Sequence, residues 1–136
     1  MKFLLDTCVL SDGMKGRPNP GLTRWLEGIP VDQRYVSVLS LAEIQFGIYR
    51  LAQGQKKDAL ARWYETELRP TCGTHVLPFD EPEAVLWAQL RVRQPNAAFM
   101  DTQLAATALA NKMAIVTRNV IDFEYDGLDV LNPWED

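Results

Sequence analysis

The sequence contains little cysteine and histidine. Its 136 residues include two cysteines, Cys8 and Cys72, and one histidine, His75. The two cysteines match no metal-ligand spacing, and buried thiols are a simpler interpretation than a disulfide framework. A single histidine without a Gly-x-Ser-x-Gly motif gives little support to histidine-assisted serine or cysteine catalysis. Neither Gly-x-Gly-x-x-Gly nor a Walker loop occurs, so nucleotide-cofactor binding is not expected.

Long apolar runs and excess positive charge are also missing. No run approaches the roughly 20 residues of a membrane-spanning helix, and the amino terminus does not resemble a secretory signal. We therefore expect a cytoplasmic protein that does not contact a membrane. The net charge of −4 argues against nucleic-acid binding through global positive charge. This charge does not exclude a protein that binds phosphate through a cation held by carboxylates.

The length and the pattern of apolar residues predict one domain, residues 1–136, of the α/β class. Short apolar runs alternate with segments of helical spacing, which is typical of a mainly parallel sheet. The predicted strands are 3–5, 31–38, 75–79, 114–117 and 128–131. The predicted helices are 9–12, 22–26, 40–53, 55–69, 80–93 and 101–112, with Pro70 closing the fourth and Asp80 with Glu83 capping the fifth.

Four acidic residues occupy comparable places in this map. Asp6 ends the first strand, Glu43 lies in the first turn of a helix, Asp101 opens a helix, and Asp122 follows the strand 114–117. In a parallel sheet these places fall along one edge, where α/β proteins bind ligands. Each residue also has a structural alternative: Asp6 as a helix cap, Glu43 in a capping box with Ser40, Asp101 beside a helix dipole, and Asp122 in a turn.

Carboxylates gathered at one point repel each other, and burial would protonate some of them unless a cation is present. Oxygen ligands without histidine or cysteine select Mg²⁺ or Mn²⁺ rather than zinc. A divalent cation held by carboxylates is what metal-assisted phosphodiester hydrolysis uses, in which a metal-activated water attacks the phosphate in line.

Five short blocks of sequence resemble the PIN-domain ribonucleases of the VapC toxin family, close to its FitB-like branch. The blocks are Leu4-Leu5-Asp6-Thr7; Ser37-Val38-Leu39-Ser40-Leu41-Ala42-Glu43-Ile44 with Gly47; Met100-Asp101-Thr102-Gln103-Leu104-Ala105-Ala106-Thr107-Ala108; Val116-Thr117-Arg118-Asn119 with Asp122-Phe123; and Leu131-Asn132-Pro133-Trp134. Each block is weak alone, but their order and spacing span the whole chain.

The resemblance implies a PIN-like fold, with about five mainly parallel strands and helices on both faces of the sheet. By position, Asp6, Glu43 and Asp101 match the three core acidic residues that bind metal. The fourth group comes from the turn that contains Thr117, Asn119 and Asp122, and Thr7 supports the site. Position 8 departs from the family, which often has Asn or Ser where this chain has Cys8.

The same resemblance implies a Mg²⁺- or Mn²⁺-dependent endoribonuclease, the toxin of a type II toxin-antitoxin system. Its partners would be RNA, a VapB-like antitoxin and a second copy of the chain. We expect the antitoxin to dock near Ile44 and Ile48, or near Trp63 and Tyr64. Large aromatic side chains could add to an interface, although core packing is expected for some of them: Trp25, Trp63, Tyr64, Trp87 and Trp134.

Two other functions remain open from the sequence. A phosphatase of the haloacid dehalogenase type also begins with an apolar strand that ends in Asp, but its chemistry needs a second Asp two residues later, where Cys8 stands. A catalytically inert PIN-like binding module would be expected to lose acidic residues, and all four are present.

Overall fold

The computed structural model of the chain describes residues 1–135. The strands are β1 (Phe3–Leu5), β2 (Arg34–Ser37), β3 (Val76–Leu77), β4 (Ala114–Val116) and β5 (Val130–Leu131). The α-helices are α1 (Thr7–Asp12), α2 (Pro20–Gly28), α3 (Val38–Tyr49), α4 (Gln55–Trp63), α5 (Arg69–Cys72), α6 (Glu81–Arg93) and α7 (Phe99–Ala110). A π-helical segment, Tyr64–Leu68, joins α4 to α5, and 3-10 turns cover Val31–Gln33 and Val120–Phe123.

The strands form one sheet of five in the order β3-β2-β1-β4-β5. Every neighbouring pair is parallel, so the predicted α/β class and parallel sheet are confirmed. The chain starts in the middle of the sheet, moves to one edge through β2 and β3, and returns to the other side of β1 as β4. The strand order therefore reverses between β1 and β4, and such a switch point is where α/β sheets usually bind ligands.

Alternate residues of each strand enter two separate cores. Phe3 and Leu5 of β1 pack with the helices that precede β3, whereas Leu4 packs with α6 and α7. β4 repeats this division, with Val116 in the first core and Ile115 in the second. Both faces of the sheet are thus covered by helices, as expected from β1 and β4, which are apolar and buried at every position.

The observed helix boundaries differ from the predicted ones where more than one polar side chain could serve as the N-cap. Helix α3 begins at Val38 because the hydroxyl of Ser37 accepts a hydrogen bond from the Leu39 N–H at 3.0 Å. The predicted capping box is wrong, since Ser40 lies inside the helix and Glu43 falls in its second turn. Asp80 precedes α6 but makes no side-chain cap hydrogen bond.

The segment after α4 also continues further than predicted. Pro70 does not close the helix, because it stands in the first turn of α5, which follows the π-helical segment directly. In that segment the backbone hydrogen bonds span five residues rather than four.

Core packing accounts for the aromatic residues predicted at an interface. These side chains are partly buried and lie against the two cores: Trp25, Trp63, Tyr64, Trp87 and Trp134. The exposed large apolar residues are others, among them Phe46, Tyr49, Val92, Phe99 and Ile121. Within residues 1–135, no helix has the length and apolar character needed to cross a membrane.

Candidate active site

Asp6 is held at the carboxyl end of β1. Its backbone N–H donates to the Val116 carbonyl at 3.0 Å, which extends the pairing of β1 with β4 by one residue. Its side-chain Oδ1 accepts a hydrogen bond from the Thr7 N–H at 2.7 Å and so caps α1. Asp6 is therefore both a carboxylate at the end of a strand and a helix cap, so the two interpretations are compatible.

The second oxygen of Asp6 meets two further donors. The Thr117 hydroxyl donates to Oδ2 at 2.7 Å, and the Cys8 thiol donates to the same atom at 3.4 Å. Thr117 lies immediately after β4, and its hydroxyl accepts the Asn119 N–H at 3.0 Å. The turn after β4 is thereby tied to Asp6, whose side chain is only 7% exposed.

The thiol of Cys8 stays protonated in this position. Burial and the neighbouring Asp6 carboxylate raise the pKa of Cys8 to about 11. At neutral pH the sulfur therefore carries the hydrogen that it donates to Asp6.

Asp101 lies on the other side of the site, in the first turn of α7. Burial, followed by repulsion from Asp122, Asp6 and Glu43, raises its pKa to about 6. Each of the other three predicted acidic residues thus acts on Asp101 through its charge. The structure therefore places Asp6, Glu43 and Asp122 within electrostatic reach of Asp101.

Glu43 and Asp122 are exposed, and they open onto two different cavities. Glu43 and Thr7 border a cavity of about 310 Å³ whose walls include Ile44 and Ile48. Asp101 and Asp122 border another of about 430 Å³, together with residues 93–98 and Ile121. Among residues 1–135, the side chains of Glu43, Asp101 and Asp122 have no hydrogen-bond partner, in contrast to that of Asp6.

The set of donor atoms fits a hard divalent cation, although the side chains are not yet gathered around one. No group of three acidic, histidine or cysteine residues within 1–135 is arranged to hold a metal ion. The four candidate ligands are all carboxylates, and the nearby Thr7 hydroxyl is buried without a hydrogen-bond partner in the described part of the chain. Oxygen ligands of this kind suit Mg²⁺ or Mn²⁺.

Sequence reasoning missed two features of the site. One is the contact of Cys8 with Asp6, which the departure of position 8 from the family pattern does not predict, although Cys8 stands two residues after a helix cap. Tyr125 carries a buried hydroxyl without a partner among residues 1–135, and burial followed by the charge of Asp101 raises its pKa. No sequence pattern singles out this tyrosine.

Comparison with known proteins gives consistent matches. Residues 3–124 match the PIN domain. Toxin FitB of Neisseria gonorrhoeae is 34% identical over 98% of this chain and 99% of its own. VapC ribonuclease Y4jK of Sinorhizobium fredii is 32% identical over 98% of each chain. The structure of FitAB bound to an IR36 DNA fragment aligns with a TM-score of 0.88, at 33% identity, over 98% of this chain and 96% of that one.

Proposed function

The chain belongs to the PIN-domain family, and on this premise we propose that it is a metal-dependent endoribonuclease, the toxin of a type II toxin-antitoxin pair. The observation that carries this proposal is the cluster of carboxylates at the point where the strand order reverses: Asp6 ends β1 there, bonded to Thr117, and with Glu43 and Asp122 it lies within electrostatic reach of Asp101. An acidic cluster of this kind suits a cation and, through it, a phosphodiester. The ribonuclease name of the relative from S. fredii supports RNA as the substrate.

Asp6, Glu43 and Asp101 are the residues that would hold Mg²⁺ or Mn²⁺, with Asp122 and the turn at Thr117 and Asn119 completing the site. When bound, such a cation supplies an activated water and neutralises charge on the phosphate. The chain's own contribution is to orient its carboxylates. Asp6 is fixed by its hydrogen bonds, whereas the side chains on the other side of the site can adjust to the substrate.

Total RNA incubated with the purified protein tests the activity directly. We expect cleavage with Mg²⁺ or Mn²⁺ and none with a chelator, and mapping of the cut ends will define the site of attack. Intact RNA under both cations, with a folded protein, would refute the nuclease.

We also propose that an antitoxin restrains this activity in the cytoplasm. An arginine inserted by a partner would pair with the carboxylates and compete with the cation. The cavity beside Glu43 offers an apolar anchor point at Ile44 and Ile48, next to the acidic residues. A second cavity, of about 380 Å³, lies beside Trp63, so both predicted docking regions contain a concave apolar surface.

Growth measurements test the toxin role. Expression of the chain alone should stop growth, and co-expression of an adjacent small gene should restore it. Asp101→Asn should relieve the arrest at equal protein level. Arrest that persists with Asp101→Asn would show that the toxicity arises elsewhere.

A homodimer remains part of the proposal, as does a single domain over residues 1–136. The exposed apolar residues Val92, Phe99 and Ile121 are better candidates for the dimer contact than the tryptophans, because the tryptophans pack against the cores. Light scattering at micromolar concentration should report two copies. A monomer under these conditions would refute the dimer.

The two alternatives have less support. A phosphatase of the haloacid dehalogenase type needs a carboxylic acid at position 8, and there the Cys8 thiol donates to Asp6 instead. An inert binding module would bind no divalent cation, so a titration of the purified protein with Mn²⁺ separates it from the nuclease.

A further inference from the structure

Cys8 makes a contact that packing alone does not require. The residue lies in the first turn of α1, two positions after Asp6. Its sulfur is 3.4 Å from Asp6 Oδ2 and 3.7 Å from the Thr117 hydroxyl. The thiol therefore stands between the two residues that close the adjacent strands β1 and β4.

We propose that Cys8 is a positioning residue, whose thiol, together with the Thr117 hydroxyl, fixes the orientation in which the Asp6 carboxylate meets its cation. This inference rests on the proposed function, because it concerns the metal site of that same nuclease. It assigns a role to a residue at which the chain departs from the family resemblance.

The hydrogen bonds of Asp6 show how the orientation is selected. A carboxylate offers about four acceptor positions, two on each oxygen. Thr7 N–H takes one on Oδ1, and Thr117 and Cys8 take two on Oδ2. The remaining acceptor position is on Oδ1. With Cys8 in place, Oδ2 is saturated by the protein and Oδ1 is the oxygen left for a ligand.

The size of the effect follows from the chemistry of the donor. A thiol is a weak hydrogen-bond donor, and its distance of 3.4 Å is longer than the 2.7 Å of the Thr117 hydroxyl. Loss of a residue that orients a metal ligand typically weakens metal binding by about 10- to 100-fold. For this weaker donor we expect a loss at or below the lower end of that range, roughly three- to tenfold.

A second cysteine provides a matched control. Cys72 is also a free, half-buried thiol, and it packs against the same core as Cys8. It borders the cavity beside Trp63 and has no part in the hydrogen bonds around Asp6. Removing either sulfur costs a similar amount of packing, but only Cys8 contacts the Asp6 carboxylate.

The experiment compares the wild-type protein with Cys8→Ala, Cys8→Ser and Cys72→Ala. Mn²⁺ binding is measured by calorimetry, and RNA cleavage is measured as a function of Mn²⁺ concentration. We expect Cys8→Ala to weaken Mn²⁺ binding roughly three- to tenfold, and to regain cleavage near the wild-type rate at saturating Mn²⁺. Cys8→Ser, which keeps a donor, should stay within about twofold of wild type, and Cys72→Ala should not differ from it.

The outcomes separate this inference from the proposed function. Equal Mn²⁺ affinity of Cys8→Ala and wild type overturns the positioning role, as does a loss in Cys8→Ser equal to that in Cys8→Ala. A wild-type protein that binds Mn²⁺ without cutting RNA refutes the nuclease, and the affinities still decide the role of Cys8. A wild-type protein that binds no Mn²⁺ refutes both.

Discussion

The two sides of the acidic site are built differently. On the strand side, Asp6 is buried and accepts three hydrogen bonds, from Thr7, Cys8 and Thr117. On the helix side, Asp101 accepts none within residues 1–135, and burial and neighbouring charges raise its pKa to about 6. The protein thus supplies donors to one carboxylate and leaves the other to be neutralised by a proton or a cation. One side fixes the geometry of the site, and the other responds to what is bound.

The largest expected effect comes from removing the charge on the fixed side. Asp6→Asn keeps the shape of the side chain but brings an amide toward atoms that already donate hydrogen bonds. We expect RNA cleavage to fall by at least about 100-fold, because a cation ligand and its orientation are lost together. Cleavage of a labelled RNA under Mg²⁺ measures this, with circular dichroism to confirm folding.

The control for this variant is Asp80→Asn. Asp80 is an exposed carboxylate at a helix start and makes no side-chain cap hydrogen bond. It should cut RNA at the parent rate. A folded Asp6→Asn protein that does the same would mean that the strand side has no catalytic part.

The pH dependence of Mn²⁺ binding tests the helix side of the site, which contains Asp101. Because the pKa of Asp101 is raised to about 6, a proton competes with the cation below that pH. Mn²⁺ affinity should therefore fall about tenfold for each pH unit below about 6 and level off above pH 7. Calorimetry between pH 5 and pH 8 measures this. The Mn²⁺ affinity that remains in Asp101→Asn should no longer change near pH 6. If it still does, a group other than Asp101 is responsible for the pH dependence.

A smaller effect is expected from loosening Asp6 without removing its charge. Thr117→Val deletes the hydroxyl that donates to Asp6 Oδ2 at 2.7 Å. Mn²⁺ affinity should fall about tenfold, with the maximal cleavage rate less affected. Thr107→Val is the matched control, since Thr107 is equally buried and its hydroxyl donates only to the Gln103 carbonyl within α7. Equal Mn²⁺ affinities of the two variants would show that Thr117 has no role in the site.

The smallest effect concerns stability in the absence of divalent ions. The folded pKa of Asp101 lies above its value of 3.8 in the unfolded chain, so the folded state binds more protons between about pH 4 and pH 6. The charge of Asp101 therefore lowers the unfolding free energy as the pH rises through this range. Asp101→Asn should raise that free energy by about 1 kcal/mol at pH 7.5, after allowance for partial exposure, and by almost nothing near pH 4.

Urea denaturation at the two pH values measures this difference. Asp6→Asn is the informative comparison, because it loses hydrogen-bonded partners and should be destabilised at pH 7.5. If both variants change stability in the same direction, the two sides of the site do not differ as described.

The sequence predicted the placement of Asp6 well because burial dictates its strand. A three-residue apolar run with a following carboxylate has few other solutions in a parallel sheet, and the matching run at 114–117 is its neighbour. Helix ends were predicted less well. Ser37, Ser40 and Asp80 all resemble caps, and only tertiary packing decides which of them bonds to a free N–H.

Features that depend on contacts between distant segments were beyond the sequence. The bond from Thr117 to Asp6 requires knowing that β4 lies beside β1, which alternation of elements does not reveal. Whether the aromatic residues lie in a core or at an interface could not be decided from the sequence for a similar reason. Trp63 and Trp134 are as compatible with a core as with an interface until the helices that cover the sheet are in place.

The bond between Asp6 and Thr117 joins residues 111 positions apart. During translation Asp6 is therefore made well before Thr117, its partner at the end of β4. At roughly 5–20 residues per second, the synthesis of the intervening chain takes on the order of 5–20 s. Until then the Asp6 carboxylate lacks the hydroxyl that orients it, so the acidic site is complete only after β4 has been made.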